Sequence, residues 1–199
     1  GGTRERPTTS FATVDAIGTV RVSRSSMQVN LLTGAETVRT TTTDLPALPL
    51  PEGVTVSEIL LSGSADRAIV ATSEGRLHRY DLRNLNAPVL AESFRATPEG
   101  VHASAITFLG GEQSLVVGGS DGSLRVFFRI QRDGARGSDG FELVPAREHP
   151  VMPAAIVDLT EAQRDKSFVA TDAQGHVWLI HSTSDQVLLE FQRSTTGGT

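Results

Sequence analysis

The chain has 199 residues, a formal net charge of −5, 38% hydrophobic and 21% charged residues, and no cysteine. That length suits one domain that buries about 70% of its unfolded surface. The mild acidity leaves out the basic footprint of a nucleic-acid binder, and the lack of thiols leaves out disulfide frameworks and thiolate chemistry.

No apolar run approaches the roughly 20 residues that cross a bilayer as a helix. Compartment stays open, because an oxidising space permits disulfides without requiring them. The basic residues are arginines apart from Lys166, and they are spread along the chain as a solvated surface would have them. The chain begins "GGTRERP" without Met and closes on "TTGGT", as expected of a processed protein or a piece of a longer one.

The first patterned stretch, "SFATVDAIGTVRV" from residue 10, is an apolar strand, a polar turn ending in Gly18 and a second alternating strand. "MQVNLLTGAETV" reads as a further strand behind it. "TTTTDLPALPLPEG", residues 40–53, is proline-rich and without period, and is expected to be an extended connection.

The pattern then recurs. "VSEILLS" leads into "AIVATSEGRLHRYDL" from residue 68, with "PVLAESF" behind it; "ASAITFL" leads into "LVVGGSDGSLRVFFRI", residues 115–130. The loop "QRDGARGSDG", 131–140, is charged and glycine-rich and expected to be mobile; its arginines, with Arg129 before them (Arg129, Arg132, Arg136), are the candidate partner-facing residues, since they could meet an acidic surface. "FELVPA" follows, then "AAIVDL", "SFVATDAQGHVWLIHS" from 167, and "QVLLEF".

The turn glycines Gly18, Gly75, Gly122 and Gly175 are 57, 47 and 53 residues apart. Two positions past each stands Val20, Leu77, Leu124 or Val177; five past stands Ser23, Tyr80, Phe127 or Ile180. Four strands per repeat is the architecture of a propeller blade. The sequence therefore predicts an all-β, WD40-like β-propeller with about four blades, at 10–39, 55–96, 102–146 and 154–193, as a fragment or partial ring. The first repeat lacks its leading strand. The WD dipeptide position holds Tyr80-Asp81 in one repeat only.

Chemistry is sparse. Gly118-Gly119-Ser120-Asp121-Gly122 spells G-x-S-x-G, but a nucleophile elbow joins a strand to a helix. Here Leu124, Val126, Phe128 and Ile130 alternate with Ser123, Arg125 and Arg129, so a strand follows the turn. His149, His176 and His181 are expected on different blades, and no triad with Ser120 is expected. No metal-ligand spacing occurs among the five histidines, and the glycine-rich turns lack the Lys and helix of a phosphate-binding loop. Trp178 alternates with Val177 and Leu179 as a core residue would, and 5% aromatic residues is little for a stacking platform. Neither an enzyme nor a cofactor protein is expected.

The stretches "VHASAITFLGGEQSLVVGGSDGSLRVFFRI" and "QRDKSFVATDAQGHVWLIHSTSDQVLLEF" resemble the extracytoplasmic WD40-like domain of phosphate ABC transporter permeases of Gram-negative bacteria. The resemblance runs over residues 57–191, is clearest at Ser167–Leu189, and is faintest in the first repeat. It implies a soluble accessory domain on the periplasmic side of the inner membrane, held to the membrane only through its parent chain. It also implies the phosphate-binding protein or other transporter subunits as partners. No translocation-path residue of that family maps onto this chain, and every permease signature is missing from it. The alternative is a general WD40-like scaffold unrelated to transport.

Overall fold

The computed structural model describes residues 3–15, 17–48, 50–162, 166–184 and 186–192. The closing "TTGGT" and Pro49 lie outside the described residues. The described residues form four antiparallel sheets. Blade 1 is three-stranded: β1 (Thr3–Val14), β2 (Val20–Asn30) and β3 (Glu36–Asp44). Blade 2 holds β4 (Val56–Leu61), β5 (Arg67–Thr72), β6 (Arg76–Asp81) and β7 (Val89–Arg95). Blade 3 holds β8 (Ala103–Phe108), β9 (Ser114–Gly119), β10 (Leu124–Gln131) and β11 (Phe141–His149); blade 4 holds β12 (Ile156–Glu161), β13 (Ser167–Asp172), β14 (His176–His181) and β15 (Val187–Gln192).

The blades stack face to face in sequence order, with one apolar layer at each seam, as a partial ring that does not close. The residues around the turn glycines show how. Val20, Leu77 and Leu124, two positions past the glycine, are buried against the following blade; Tyr80, Phe127 and Ile180, five past, are buried against the preceding one. Odd and even positions of a strand point to opposite faces, so both faces of an inner blade must be apolar. Each such side chain contributes about 1.5–3 kcal/mol. Trp178 belongs to this layer, packed in the seam between blades 3 and 4.

Three of the four hairpins are fixed by the same device. Asp15, Thr72 and Asp172 stand three positions before their glycines and accept hydrogen bonds from the amides of Thr19, Arg76 and His176 at 2.9, 3.3 and 2.9 Å. Blade 3 has Gly119 there instead, and Asp121 Oδ1 accepts the Ser123 amide at 3.1 Å. Gly122 has φ +82°, and a Cβ on it would stand 2.2 Å from the Met152 carbonyl oxygen, so the turn seats the chain entering blade 4. The first strand of each four-stranded blade carries a bulge at the same place, at Val56/Glu58, Ala103/Ala105 and Ile156/Asp158.

Blade 1 departs from the expected limits. Its sheet runs over 3–44 instead of 10–39, and "MQVNLLTGAETV" holds the end of β2, a turn at 31–35 and the start of β3. The threonines read as part of the connection pair with β2: Ser23 with Thr42 and Ser25 with Thr40, hydroxyl to hydroxyl at 2.9 Å in both pairs. β-Branched residues favour the extended strand, and their hydroxyls form a cross-strand ladder. The irregular connection shrinks to 45–55, anchored where Tyr80 Oη donates to the Pro46 carbonyl at 2.8 Å.

Candidate functional site

Ser120 sits in the β9–β10 hairpin turn, its hydroxyl accepting the His102 amide at 3.0 Å. His176 and His181 do not lie on different blades as expected but at the two ends of β14, where His176 Nδ1 is paired with Asp172 at 2.8 Å and His181 Nδ1 with Ser184 at 3.0 Å. His149 meets the Phe168 ring edge-on at 5.5 Å. These side chains are committed to separate local contacts, and no nucleophile–base pair forms. Among the described residues no three His, Asp or Glu converge as metal ligands, and no helix is long and apolar enough to cross a membrane.

Charge gathers instead at the seam between blades 2 and 3. β10 turns Arg125, Phe127 and Arg129 toward blade 2, so the face that alternation marks as polar is a packed seam face. Its middle is apolar: Phe127 and Phe94 rings lie 5.4 Å apart, beside Leu77 and Leu143. The two ends are charged in different ways.

At the far end, Arg79 on β6 is 1% exposed. Its guanidinium donates to Glu92 at 3.2 Å, to both Asp139 oxygens at 2.7 and 2.9 Å, and to the Phe141 carbonyl at 2.9 Å. Glu92 and Glu142 are fully buried and receive Arg136, at 3.0 and 3.2 Å; Arg132 reaches Glu142 at 2.5 Å. The Arg129 guanidinium stacks 3.5 Å over the Phe141 ring. Burial pushes the Asp139 carboxyl up, but the Arg79 hydrogen bonds and charge more than reverse this and hold it below 3.8. Burial, then the charges of Arg67 and Arg79, push the Arg129 guanidinium below its ordinary value.

The loop expected to be mobile is therefore docked. Ser138 donates its amide to the Ala91 carbonyl of β7 at 2.9 Å, and a Cβ on Gly137 would fall 1.9 Å from the Phe141 carbonyl and 2.4 Å from Arg79. Glycine is what lets the loop close onto the guanidinium. Of the three arginines singled out by sequence, Arg129 lies over the ring. Arg132 and Arg136 keep 56% and 44% of their side chains exposed while holding buried carboxylates.

At the near end, a cavity of about 560 Å³ opens between the blades, lined by Arg95, Arg125, Arg147, Glu148, Phe127 and Pro145 among others. Sequence reasoning missed these arginines, which come from three strands. The one local signal is the register shift in β11 opposite Val126/Phe127, which sets Ala146 out of the ladder between Pro145 and Arg147.

The outward faces of the end blades also differ. On blade 4, the rows Val169–Leu179–Leu189 and Thr171–Val177–Phe191 share the face turned away from blade 3, with Leu189 52% and Phe191 55% exposed. On blade 1 the corresponding rows are Phe11–Ser23–Thr42 and Thr13–Arg21–Asp44, mostly polar, with an Arg21–Asp44 ion pair at 2.5 Å.

No family model matches the chain, and no curated protein matches it in sequence. Solved structures do. One is a chain of the crystal structure of the mitotic checkpoint complex, with TM-score 0.58 and 10% identity over 92% of this chain and 51% of that one. Another is the β-propeller domain of Cps50 (Swd1) from Myceliophteria thermophila, with TM-score 0.57 and 13% identity over 88% of this chain and 56% of that one. These likenesses show the fold, a WD40-like β-propeller. The chain spans about half the length of these two solved chains.

Proposed function

We propose that the chain is a rigid protein-interaction platform, and that it serves as the periplasmic accessory domain of the permease subunit of a bacterial phosphate ABC importer. The observation that carries the platform reading is the outward face of blade 4. Five apolar side chains, Val169, Val177, Leu179, Leu189 and Phe191, stand in two rows on a sheet stiffened from behind by the blade 3 seam. An apolar face with half-exposed Leu and Phe, of the kind that forms the inner seams, suits contact with a further sheet or with another protein. The importer reading comes from the resemblance over residues 57–191. It makes the phosphate-binding protein or another transporter subunit the partner, and leaves membrane contact to the rest of the permease. Neither catalysis nor a cofactor has a part in it.

The test is calorimetric titration with the phosphate-binding protein of the same organism, using the natural protein and Leu189→Asp. The reading expects micromolar binding that Leu189→Asp weakens at least tenfold. Silence with the natural protein, together with unchanged phosphate uptake when the domain is deleted, contradicts it. A general scaffold is the second reading, favoured by the propeller neighbour solved within a checkpoint complex. The full-length gene separates the two, because only the importer reading requires membrane helices around this segment.

A further inference from the structure

We propose that the open edge of β1 is the docking site of one extended, uncharged segment of a partner protein, which joins blade 1 as its leading strand. Blades 2, 3 and 4 each begin with a six-residue leading strand, β4, β8 and β12, paired to the second strand of the sheet. Blade 1 begins with what is elsewhere the second strand, and among the described residues β1 pairs only with β2. The Asp15 amide donates to the Thr19 carbonyl across the hairpin at 3.1 Å. Backbone groups of a strand point alternately to its two sides, so those of Ala12 and Val14 point to the open edge.

Blade 1 has not moved over to fill the gap. β1 meets β4 as β5 meets β8 and β9 meets β12, the second strand of one blade against the leading strand of the next. The inner seams add a contact of leading strand with leading strand, β4 with β8 and β8 with β12, for which blade 1 has no strand to offer. Side chains on both sides of the gap are under-buried as a result. Counted from the turn glycines, Ala12 and Val14 match Ile69 and Ala71 in blade 2 and Val116 and Gly118 in blade 3, all four buried. Ala12 is only half-buried and Val14 is 41% exposed, although both are on the side of β1 that faces blade 2. Across the gap Val56, Ile59 and Leu61 of β4 are half-buried, where Ala103, Ile106 and Phe108 of β8 are buried. A cavity of about 290 Å³ lies between, lined by residues 12–14 and 56–59.

The gap sets the occupant. Its lining carries one charged side chain, Glu58, beside a strand edge and aliphatic groups, so it takes about six uncharged residues with small and apolar side chains, the pattern of β8, "ASAITF". Strand addition to an open edge is the mode, with main-chain hydrogen bonds to Ala12 and Val14 and apolar side chains against Val56 and Ile59. The source is a separate polypeptide. In blades 2 and 3 a short loop, 62–66 or 109–113, joins the leading strand to the second. The matching residues of blade 1, 5–9, belong to β1, which continues along β2 as far as the Thr3–Asn30 pair, so no such loop delivers a strand from the residues next to it. The site is apart from the blade 4 face and owes nothing to the importer.

The experiment is fluorescence anisotropy of a labelled peptide copying residues 102–109, HASAITFL, titrated with the whole chain, beside the same peptide with Pro in place of Ile106. Amide exchange of Ala12 and Val14 is followed with and without peptide. The expected result is saturable binding of the first peptide only, with exchange at Ala12 and Val14 slowed at least tenfold on binding. Val14→Pro removes a donor from the open edge and leaves the β1–β2 hydrogen bonds in place, so binding should weaken at least tenfold. Val38→Pro on β3, at the opposite edge of the same sheet, should leave it unchanged. Circular dichroism and the unfolding midpoint show that each variant is folded, and Val56→Asp, which sets a charge in the wall of the gap, gives a second route to the same loss. Absence of binding, equal binding of the Pro peptide, or binding untouched by Val14→Pro and Val56→Asp each overturns the proposal. So does a chain that sediments as a dimer which the peptide dissociates, since a second copy then holds the edge. Leu189→Asp leaves the peptide isotherm untouched, so failure here and failure of the blade 4 reading are told apart.

Discussion

The two ends of the blade 2–blade 3 seam have the same raw material, arginines on β10 beside an apolar middle, and use it differently. At the loop end, Arg79 and Arg136 meet carboxylates that are almost wholly buried, and the loop closes over them. At the cavity end the acceptors are exposed: Arg125 pairs with Glu148, and Arg95 donates to the Glu74 backbone carbonyl at 2.6 Å with the Glu74 carboxylate 3.8 Å away. The difference shows that arginine content says little about role. What matters is whether the acceptors are buried with the guanidinium, because a buried pair is costly to break whereas an exposed one contributes little.

Removing the lock should cost most. Arg79→Ala leaves the buried Glu92 with Arg136 alone and the buried Asp139 with Arg129 at 3.9 Å, and a buried pair broken on one side loses about 3–5 kcal/mol, read as a lower urea midpoint. Gly137→Ala drives a methyl into the Phe141 carbonyl and the Arg79 guanidinium; a loss of about 2 kcal/mol or more is expected, with the loop freed for proteolysis.

Acid should open the same end selectively. Asp139 has its folded pKa below its ordinary 3.8, so the stability it contributes is present above pH 3.8 and is lost as pH falls through that value toward the lowered one. In Asp139→Asn the part of the acid destabilisation below pH 3.8 that belongs to this group should vanish. Arg95→Gln at the open end, by contrast, should change the unfolding free energy by no more than about 0.5 kcal/mol. A loss as large as that of Arg79→Ala would erase the distinction between the ends.

Much of the stack was legible in the sequence, because each blade repeats one local rule: a turn glycine with apolar residues two and, in blades 2–4, five positions later. The structure supplies the reason for both offsets, since Leu77 and Tyr80 point to opposite seams. Ser23 is the polar member at the second offset, and it lies on the outward face of blade 1, where the described residues place no preceding blade. The limits of blade 1 were missed because a run of threonines has strand propensity but no alternation to display it.

The candidate sites were less legible. Arg129, Arg132 and Arg136 stood out as neighbours in sequence, yet the acceptors of Arg132 and Arg136, Glu92 and Glu142, lie on β7 and β11, and nothing local announces that an acid in "PVLAESF" will meet an arginine some 40 residues on. Arg95, Arg125 and Arg147 went unremarked for the converse reason. Each is an ordinary strand-end arginine until the seam gathers them around one cavity.

Amide hydrogen exchange of residues 132–140 tests the locked end most directly. The account predicts that the Ser138 amide, which donates to Ala91, is protected to about the level of the β10 amides and loses that protection in Arg79→Ala. Exchange of Ser138 at the rate of an open loop in the natural protein would contradict it.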